Sequence, residues 1–423
     1  MSISFILQTD SNDYGSDPNV AKYVRRAVIR PWLTNPSGPT SPRLRQSIWT
    51  NINEIIDPAY VEKETKRRVQ KCLRADTSLI LCALNAMDNI KEYSIEWNEE
   101  SRYHPELYKA CFSPMSQKWS KQLVKLSIKV PPQFLKALAS IRLANLETFE
   151  YHFCTGQMSC QDISEMHNGF LVFVNNLKDS LECLSFVSTH TSLCLDITQI
   201  YKSLGPFPKL RSISLSIPFD GGHLSDPLVF VQFLEKHRST LKDISVLTSR
   251  CTVHSLPTDP ESINWIQKIL TSVHNPFPRL RSLALAMRPL RAPLVNVSNF
   301  LEMHASTLDS LTLAERALDY REFERLLRTT SGPFGLEGLR HLRLKLNTFC
   351  PTILFYLASK MPGLTSLDIE CHSIIYCANH CANATDFVRG YLFLSLFLFF
   401  FSYLRFLSFF LFFDIGGILQ CNH

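Results

Sequence analysis

Apolar residues along most of the chain follow a six-position pattern, L-x-x-L-x-L, in which isoleucine, valine, phenylalanine or tyrosine replaces some of the leucines. The last two apolar positions are two residues apart, which places both side chains on one face of a β-strand. Successive copies lie on average about 30 residues apart, a spacing that indicates a repeat protein. A degenerate copy with Val24, Ala27 and Ile29 precedes them. The ten regular copies end at Ile95, Ile128, Tyr151, Phe186, Leu215, Val246, Leu285, Leu313, Leu344 and Ile369.

Between these copies, apolar residues recur at spacings of three and four, which is typical of a helix with one buried face. Stripes of this kind cover residues 134–141, 265–273 and 354–361. Asp226 and Pro227 predict the start of another helix, because aspartate caps helices and proline is tolerated at the first helical position. A single strand and helix cannot bury their own apolar faces, so neighbouring repeats must stack. The pattern therefore predicts an α/β solenoid of about ten irregular repeats, with parallel strands on its concave side and helices on its convex side.

Two longer phrases occur twice. FLEKHRSTL at 233–241 returns as FLEMHASTL at 300–308, and PFPKLRSISL at 206–215 returns as PFPRLRSLAL at 276–285. With these phrases, the units resemble leucine-rich repeats of the long, irregular kind. They are similar to the substrate-recognition part of fungal F-box proteins, those of basidiomycetes in particular. The resemblance covers about residues 79–375 and implies a non-enzymatic protein that recognises substrates for a ubiquitin ligase.

The F-box itself, a three-helix module that precedes the repeats in such proteins, is not found in the sequence. Residues 1–19 are polar, are interrupted by Gly15 and Pro18, and lack the leading Leu-Pro and the later Trp of that module. Two interpretations follow. Either the box has been lost from the gene model, or the protein is a receptor-like chain without one.

These patterns divide the chain into six segments. They are a polar N-terminal segment (1–22), a cap region with one degenerate repeat (23–78), the solenoid (79–376), a linker (377–390), a Phe/Leu-rich segment (391–413) and a C-terminal tail (414–423).

The Phe/Leu-rich segment admits two interpretations. As a helix it would be about 35 Å long, enough to cross the hydrocarbon core of a bilayer, with Arg405 as its one charge. This would make the protein a tail-anchored membrane adaptor with its repeats in the cytosol. Alternatively, the segment is a translated intron, because phenylalanine, leucine and serine all have pyrimidine-rich codons.

The amino-acid composition argues against some classes of function for this protein. A formal net charge of +6 is well short of a nucleic-acid-binding footprint, so we expect a protein partner and no nucleic acid. The 13 cysteines lack C-x-x-C spacing and no secretory signal precedes them, which predicts buried free thiols in a reducing compartment, the cytoplasm or the nucleus. No catalytic or nucleotide-binding motif occurs, so we expect neither an enzyme nor a cofactor.

Three further groups have residue types that could bind ligands. His237 and His304 take the same place in the duplicated phrase, so we expect them to pack or to cap a helix end. The basic run at 63–71 predicts a solvated helix face. The cysteine and histidine spacings near the C-terminus match no usual zinc motif, so no metal site is predicted. That cluster comprises Cys371, His372, Cys377, His380 and Cys381.

Side chains that alternate with the buried strand positions should line the concave side. They are small and neutral in the middle of the array, and charged at its ends. On the last two strands we expect His341, Arg343 and Lys345 to lie beside Asp368 and Glu370, because adjacent strands are only about 4.8 Å apart. A floor of this kind suits a macromolecule better than a small substrate, so we predict that this bipolar patch contributes to binding a protein partner.

Overall fold

The computed structural model of the protein describes residues 2–5, 21–30, 60–97, 105–130, 135–153, 160–192, 195–249, 264–290, 294–329, 336–350, 352–377, 380–381 and 408–412. The chain divides into two compact units. The first comprises Met1–Cys183 with Thr191–Cys194, and the second comprises Leu184–His190 with Leu195–His423. Within each unit, parallel strands alternate with helices along the sequence.

Parallel strands lie side by side in chain order in the described part of the first unit. They are β1 (Ser2–Phe5), β2 (Arg26–Ile29), β3 (Glu92–Glu96), β4 (Lys125–Val130) and β5 (Thr148–Phe153). The repeat positions are in register, so that Tyr93, Leu126 and Phe149 are neighbours and are buried. The degenerate copy joins this ladder, since Ala27 pairs with Tyr93. The strand β1 lies within the N-terminal segment that the sequence describes only as polar.

The helices of the first unit lie between these strands in sequence. They are α1 (Tyr60–Ala86), α2 (Pro105–Gln117), α3 (Leu135–Leu138) and α4 (Cys160–Asn175). Helix α1 packs against α2, and α3 packs against α4. The helix predicted over 134–141 is only one turn long, because the N–H of Ile141 bonds to the carbonyl of Leu138 and closes a tight turn.

Aromatic side chains fill much of the core of the first unit. Phe149 and Tyr151 of β5 pack against Phe170 of α4 with ring centroids 6.1 and 5.0 Å apart, and Phe173 meets Phe149 edge to face at 5.3 Å. Such pairs add stability beyond the apolar area that they bury. The β5 phrase TFEYHF therefore acts as a repeat strand in which aromatic residues take the place of leucine.

The described cysteines are free thiols, as expected, but they are not all buried. Cys111 is buried, and burial raises the pKa of its thiol to about 12, which keeps it protonated and unreactive. Cys72 and Cys82 are exposed, so the prediction of buried thiols is wrong for these two. Both lie on α1, on the side of the helix away from Leu73 and Leu84, which are buried.

Most strands of the second unit follow the same order. The strands of this unit are β6 (Cys183–Ser188), β7 (Ser212–Ile217), β8 (Asp243–Thr248), β9 (Ser282–Ala286), β10 (Ser310–Leu318), β11 (His341–Phe349), β12 (Ser366–Cys377), β13 (His380–Cys381) and β14 (Ser408–Phe412). The last two both pair with β12, β13 in the antiparallel and β14 in the parallel sense. The repeat positions Ile244, Leu283, Leu311, Leu342 and Leu367 form one row across adjacent parallel strands. All five are buried, which confirms the predicted strand phase.

Helices alternate with these strands. They are α5 (Ile197–Ser203), α6 (Pro227–Lys236), α7 (Trp265–Ser272), α8 (Val295–His304), α9 (Tyr320–Thr329) and α10 (Thr352–Lys360), with a 3₁₀ turn at Leu336–Gly338. The predicted start of α6 is confirmed, because the Asp226 side chain accepts a hydrogen bond of 2.9 Å from the N–H of Leu228. Both units thus have the predicted α/β leucine-rich-repeat fold, in which parallel strands alternate with helices and the described repeat positions are buried.

The Phe/Leu-rich segment at 391–413 lies mostly outside the described residues. Its described part, β14, is a strand that pairs in parallel with β12 over Ser366–Glu370, whereas the membrane-anchor interpretation requires a helix there. Phenylalanine and leucine at the edge of a sheet satisfy their backbone groups by strand pairing, and phenylalanine is enriched in strands.

Among the described helices, none combines the length and the apolar character that a membrane span requires.

A half-buried carboxylate links two strands of the second unit that are not neighbours. Glu315 in β10 has a left-handed φ of 76°, which is rare for a residue with a side chain. Its carboxylate accepts hydrogen bonds from the backbone N–H of Thr248, at 2.6 Å, and from the Thr248 hydroxyl. Strand β9, which lies between β8 and β10, ends at Ala286, so the Glu315 side chain bridges the strands beyond that end.

Two substitutions of Glu315 should therefore distinguish the stabilising effect of its hydrogen bonds from the cost of its left-handed backbone conformation. We expect Glu315→Ala to lower the free energy of unfolding by about 1–3 kcal/mol, because the buried N–H of Thr248 loses its acceptor. Glu315→Gly loses the same bonds but relieves a left-handed conformation that costs roughly 1 kcal/mol, so it should be the more stable of the two. Chemical denaturation measures both, with the exposed Glu302→Ala as control; equal stability of the alanine and glycine variants would contradict the strain.

Candidate protein-binding surface

Each strand presents one row of side chains to the core and the alternate row away from it. We call the second row the open face of the sheet. Its residues are half-buried or exposed in both units, as the alternation along the strands predicts. Ala286 is an exception, because it is fully buried at the end of β9 beside Ala314.

The patch predicted at the last two repeats is present on the open face of the second unit. His341, Arg343 and Lys345 pair in register with Ser366, Asp368 and Glu370 across β11 and β12. Arg343 Nε lies 3.1 Å from Asp368 Oδ2, and Lys345 Nζ lies 2.5 Å from Glu370 Oε1. The structure thus brings all five predicted residues together and arranges four of them as two cross-strand ion pairs.

These two ion pairs leave hydrogen-bond donors on the patch available to a partner. The Arg343 side chain is 66% exposed, and a guanidinium has five N–H donors, so one ion pair does not exhaust it. An exposed ion pair is worth only about 0–1 kcal/mol, so the patch adds little to stability. His341 is also exposed at the same end of β11.

A second charged set lies on the open face of the first unit. We call it the N-terminal charge ladder. It consists of Arg26, Arg30, Glu92, Ser94, Glu96, Lys125, Ser127, Lys129, Glu150 and His152. Register places basic, acidic and basic side chains on three neighbouring strands, with Glu92 between Arg26 and Lys125. The same order recurs four residues later, where Glu96 is level with Lys129.

The carboxylates of the ladder bind to specific partners. Arg26 Nε lies 3.7 Å from Glu92 Oε2, and Arg30 Nε donates to Glu96 Oε2 at 2.6 Å. Glu150 Oε1 lies 2.9 Å from His152 Nε2, and the hydrogen bond from His152 lowers the pKa of Glu150. The carboxylates of the ladder therefore face mainly toward the arginines and the histidine.

The two lysines of β4 take part less in this pairing. Lys129 forms no ion pair with another side chain in the described part of the chain, and Lys125 lies near enough to Glu150 to lower its pKa. With Ser94 and Ser127 they line an open depression of about 530 Å³. Ammonium and hydroxyl groups of this kind can bind acidic or polar side chains of a partner.

The sequence shows charge at both ends of the array, but it is only at the C-terminal end that a binding patch is predicted. The signal for the ladder is present in the sequence, because E-x-S-x-E on β3 is followed by K-x-S-x-K at the same strand positions of β4. Opposite charges at equivalent positions of adjacent strands predict a ladder once the strand register is known. The depression depends on side-chain conformations, which that pattern does not specify.

His237 and His304 have a structural role that explains both duplicated phrases. The Nδ1 of His237 donates to the carbonyl of Phe233 at 2.8 Å, and its Nε2 accepts the backbone N–H of Phe207 at 2.9 Å. His304 makes the equivalent bonds to Phe300 and Phe277, at 2.8 and 3.0 Å. Each FLxxH phrase is thus bonded to the PFP phrase of the preceding repeat. The expected packing role at a helix end is confirmed.

Two other arrangements have residue types that are used in catalysis or metal binding. Ser188 Oγ lies 2.8 Å from His223 Nδ1, but Ser188 is fully buried, so no substrate can reach its hydroxyl. In the part of the chain that the structure describes, no group of three histidine, cysteine or acidic residues could hold a metal ion. Cys377 and His380 face each other across the antiparallel pair of β12 and β13.

No protein-family model matches the chain, and no curated protein matches its sequence. Solved structures with a similar fold exist. One is a chain in the crystal structure of the Rad7 and Elc1 complex in yeast, which is 12% identical in sequence and aligns with a TM-score of 0.41. That alignment covers 72% of this chain and 75% of the other.

Proposed function

We propose that this chain is a protein-interaction scaffold that binds a protein partner through the open face of its sheets. The observation that supports this is the in-register arrangement of charged side chains on adjacent strands at that face. Rows about 4.8 Å apart present alternating charges at fixed spacing, which favours one binding register of a partner over others. The resemblance to F-box proteins adds the narrower proposal of a substrate-recognition subunit of a ubiquitin ligase, acting in the cytoplasm or the nucleus.

Charge reversal on the C-terminal patch tests this function. We expect Arg343→Glu with Lys345→Glu to reduce recovery of native partners in a pull-down about tenfold or more, because the two introduced carboxylates would repel Asp368, Glu370 and any acidic partner group. The melting temperature should hardly change, since exposed pairs contribute little to stability. The loss should shrink at high salt, where the Debye length falls to about 3 Å.

A matched control is available in the same unit. Lys209 and Arg279 are exposed and lie in the two PFP phrases, so Lys209→Glu with Arg279→Glu changes net charge equally. If the patch variant and the control variant recover the partner equally well, the C-terminal patch is not the binding site. The narrower proposal has a separate test. It requires that wild-type protein recovers ubiquitin-ligase subunits, whether or not the patch variant does.

A further inference from the structure

The first half of α1 carries a concentration of positive charge that the scaffold function of the open face does not use. Within twelve residues it has six basic side chains, and all six are exposed. They are Lys63, Lys66, Arg67, Arg68, Lys71 and Arg74. The described part of the chain contains no ion pair of Lys66, Arg67, Lys71 or Arg74 with another described side chain.

Helix geometry places four of these cations on one face. At about 100° per residue, Lys63, Arg67, Lys71 and Arg74 fall within an arc of about 80°. At a rise of 1.5 Å per residue they extend over about 17 Å along the helix axis. We call these four residues the basic stripe.

The basic stripe does not serve the packing of α1. The described buried side chains of this helix are Leu73, Ile80 and Leu84, which lie about 100–140° from the centre of the stripe. Before Leu73, none of the side chains that the structure describes on α1 is buried. The cations of the stripe are therefore exposed and lie away from the packed face of the helix.

Local electrostatics oppose this arrangement in the isolated chain. Lys63, Arg67 and Lys71 are like charges at successive i, i+4 positions, and such pairs destabilise a helix. Arg67 and Lys71 have this unfavourable arrangement without an ion pair to another side chain that the structure describes. Positions at which a local rule is broken are expected to be functional ones.

We propose that the basic stripe of α1 binds an acidic, extended segment of a polypeptide partner. Alternate side chains of an extended peptide lie on one side about 6.7 Å apart. Successive cations of the stripe are about 6 Å apart along the helix axis, so carboxylates at every second position can pair with three of them. The binding surface is separate from the open face and does not depend on it.

Other polyanions fit the stripe less well. Membrane-surface helices need large apolar side chains beside their basic face, but the exposed apolar residue of α1, Leu79 at 55%, lies on another side of the helix. Single-stranded nucleic acids need successive aromatic platforms for base stacking, and the sequence of α1 has one aromatic residue, Tyr60, at its first position. A carboxylate-bearing peptide needs only the cations.

Fluorescence anisotropy with the full chain tests the proposal. The probe is a labelled decapeptide of alternating glutamate and serine, titrated at low and at high salt. We expect the triple variant Arg67→Glu, Lys71→Glu, Arg74→Glu to bind about tenfold or more weakly than wild type, and salt to remove the difference. Its melting temperature should change little, because all three positions are exposed. The substitutions relieve the repulsion between Lys63 and position 67 but introduce like charges at 67, 71 and 74.

The matched control reverses three exposed cations elsewhere in the same unit, Lys109→Glu, Lys121→Glu and Arg142→Glu. It changes net charge equally and should keep wild-type affinity for the decapeptide. Equal loss in both triple variants, or no peptide binding by wild type, overturns the proposal. Stripe-dependent binding of phosphatidylserine vesicles or of a short DNA duplex, with none of the peptide, would overturn it too.

Discussion

Replacement of Leu283 by alanine is expected to lower the free energy of unfolding by about 2–5 kcal/mol. Leu283 is 1% exposed and lies in the row of repeat leucines between Ile244 on β8 and Leu311 on β10. Truncation there removes apolar contacts with both neighbouring repeats and leaves a cavity that adjacent strands cannot close. Leu342→Ala, at a position 3% exposed on β11, should have an effect of the same size.

Ser310→Ala provides the control for these two variants, because Ser310 begins β10 on the open face, directly beside Ser282 of β9. We expect it to change the free energy of unfolding by less than about 0.5 kcal/mol. Denaturant titration of all three variants measures the difference. Similar midpoints for the leucine and serine variants would mean that the strand phase is off by one residue.

Replacement of His237 by phenylalanine should destabilise the second unit by about 1–3 kcal/mol. The new ring can keep the packing against Phe233, whose centroid lies 4.6 Å from that of the imidazole, but the N–H of Phe207 loses its acceptor inside the core. The same substitution at His304 should have the same effect, since Phe277 depends on it equally. His274→Phe, at an exposed position, should be nearly neutral.

The same two histidines predict a pH dependence. Burial lowers the pKa of His237 and His304 below the ordinary value of 6.5, because each ring must stay neutral to accept a backbone N–H. A group whose pKa is lower in the folded than in the unfolded protein stabilises the fold above pH 6.5, and that contribution is lost as pH falls through the lowered pKa. The melting temperature should therefore fall less between pH 7.5 and pH 5.5 for the variant with both His237→Phe and His304→Phe than for wild type. An equal fall would mean that other groups cause the pH dependence.

Features that depend on local periodicity were predictable from sequence. The burial of Tyr93, Leu283 and Leu342 follows from a two-residue alternation that any strand must obey, and the Asp226 cap follows from neighbouring residues alone. Features that depend on distant partners were not. Whether 408–412 forms a helix or pairs with β12 depends on an open sheet edge, and the shortness of α3 depends on a turn at Ile141.

The charged sites show the same division. The sequence predicted which side chains of β11 and β12 share a face, and the register then makes Arg343 and Asp368 partners. The ion pairs within the N-terminal charge ladder could not be predicted from the sequence. Glu96 could bond to either Arg30 or Lys129, and only side-chain packing selects the arginine. The bridge from Glu315 to Thr248 also joins residues 67 positions apart, which no local pattern specifies.

The bonds of His237 and His304 have a consequence for how this array can gain or lose repeats. Each bond joins the end of one helix to a PFP phrase about 30 residues earlier, so the functional module runs from phrase to histidine and straddles a repeat boundary. A deletion that removes Phe207 but keeps His237 would leave the imidazole without its donor. Deletion or duplication of a whole module keeps both partners, and the two phrases recur together in the sequence.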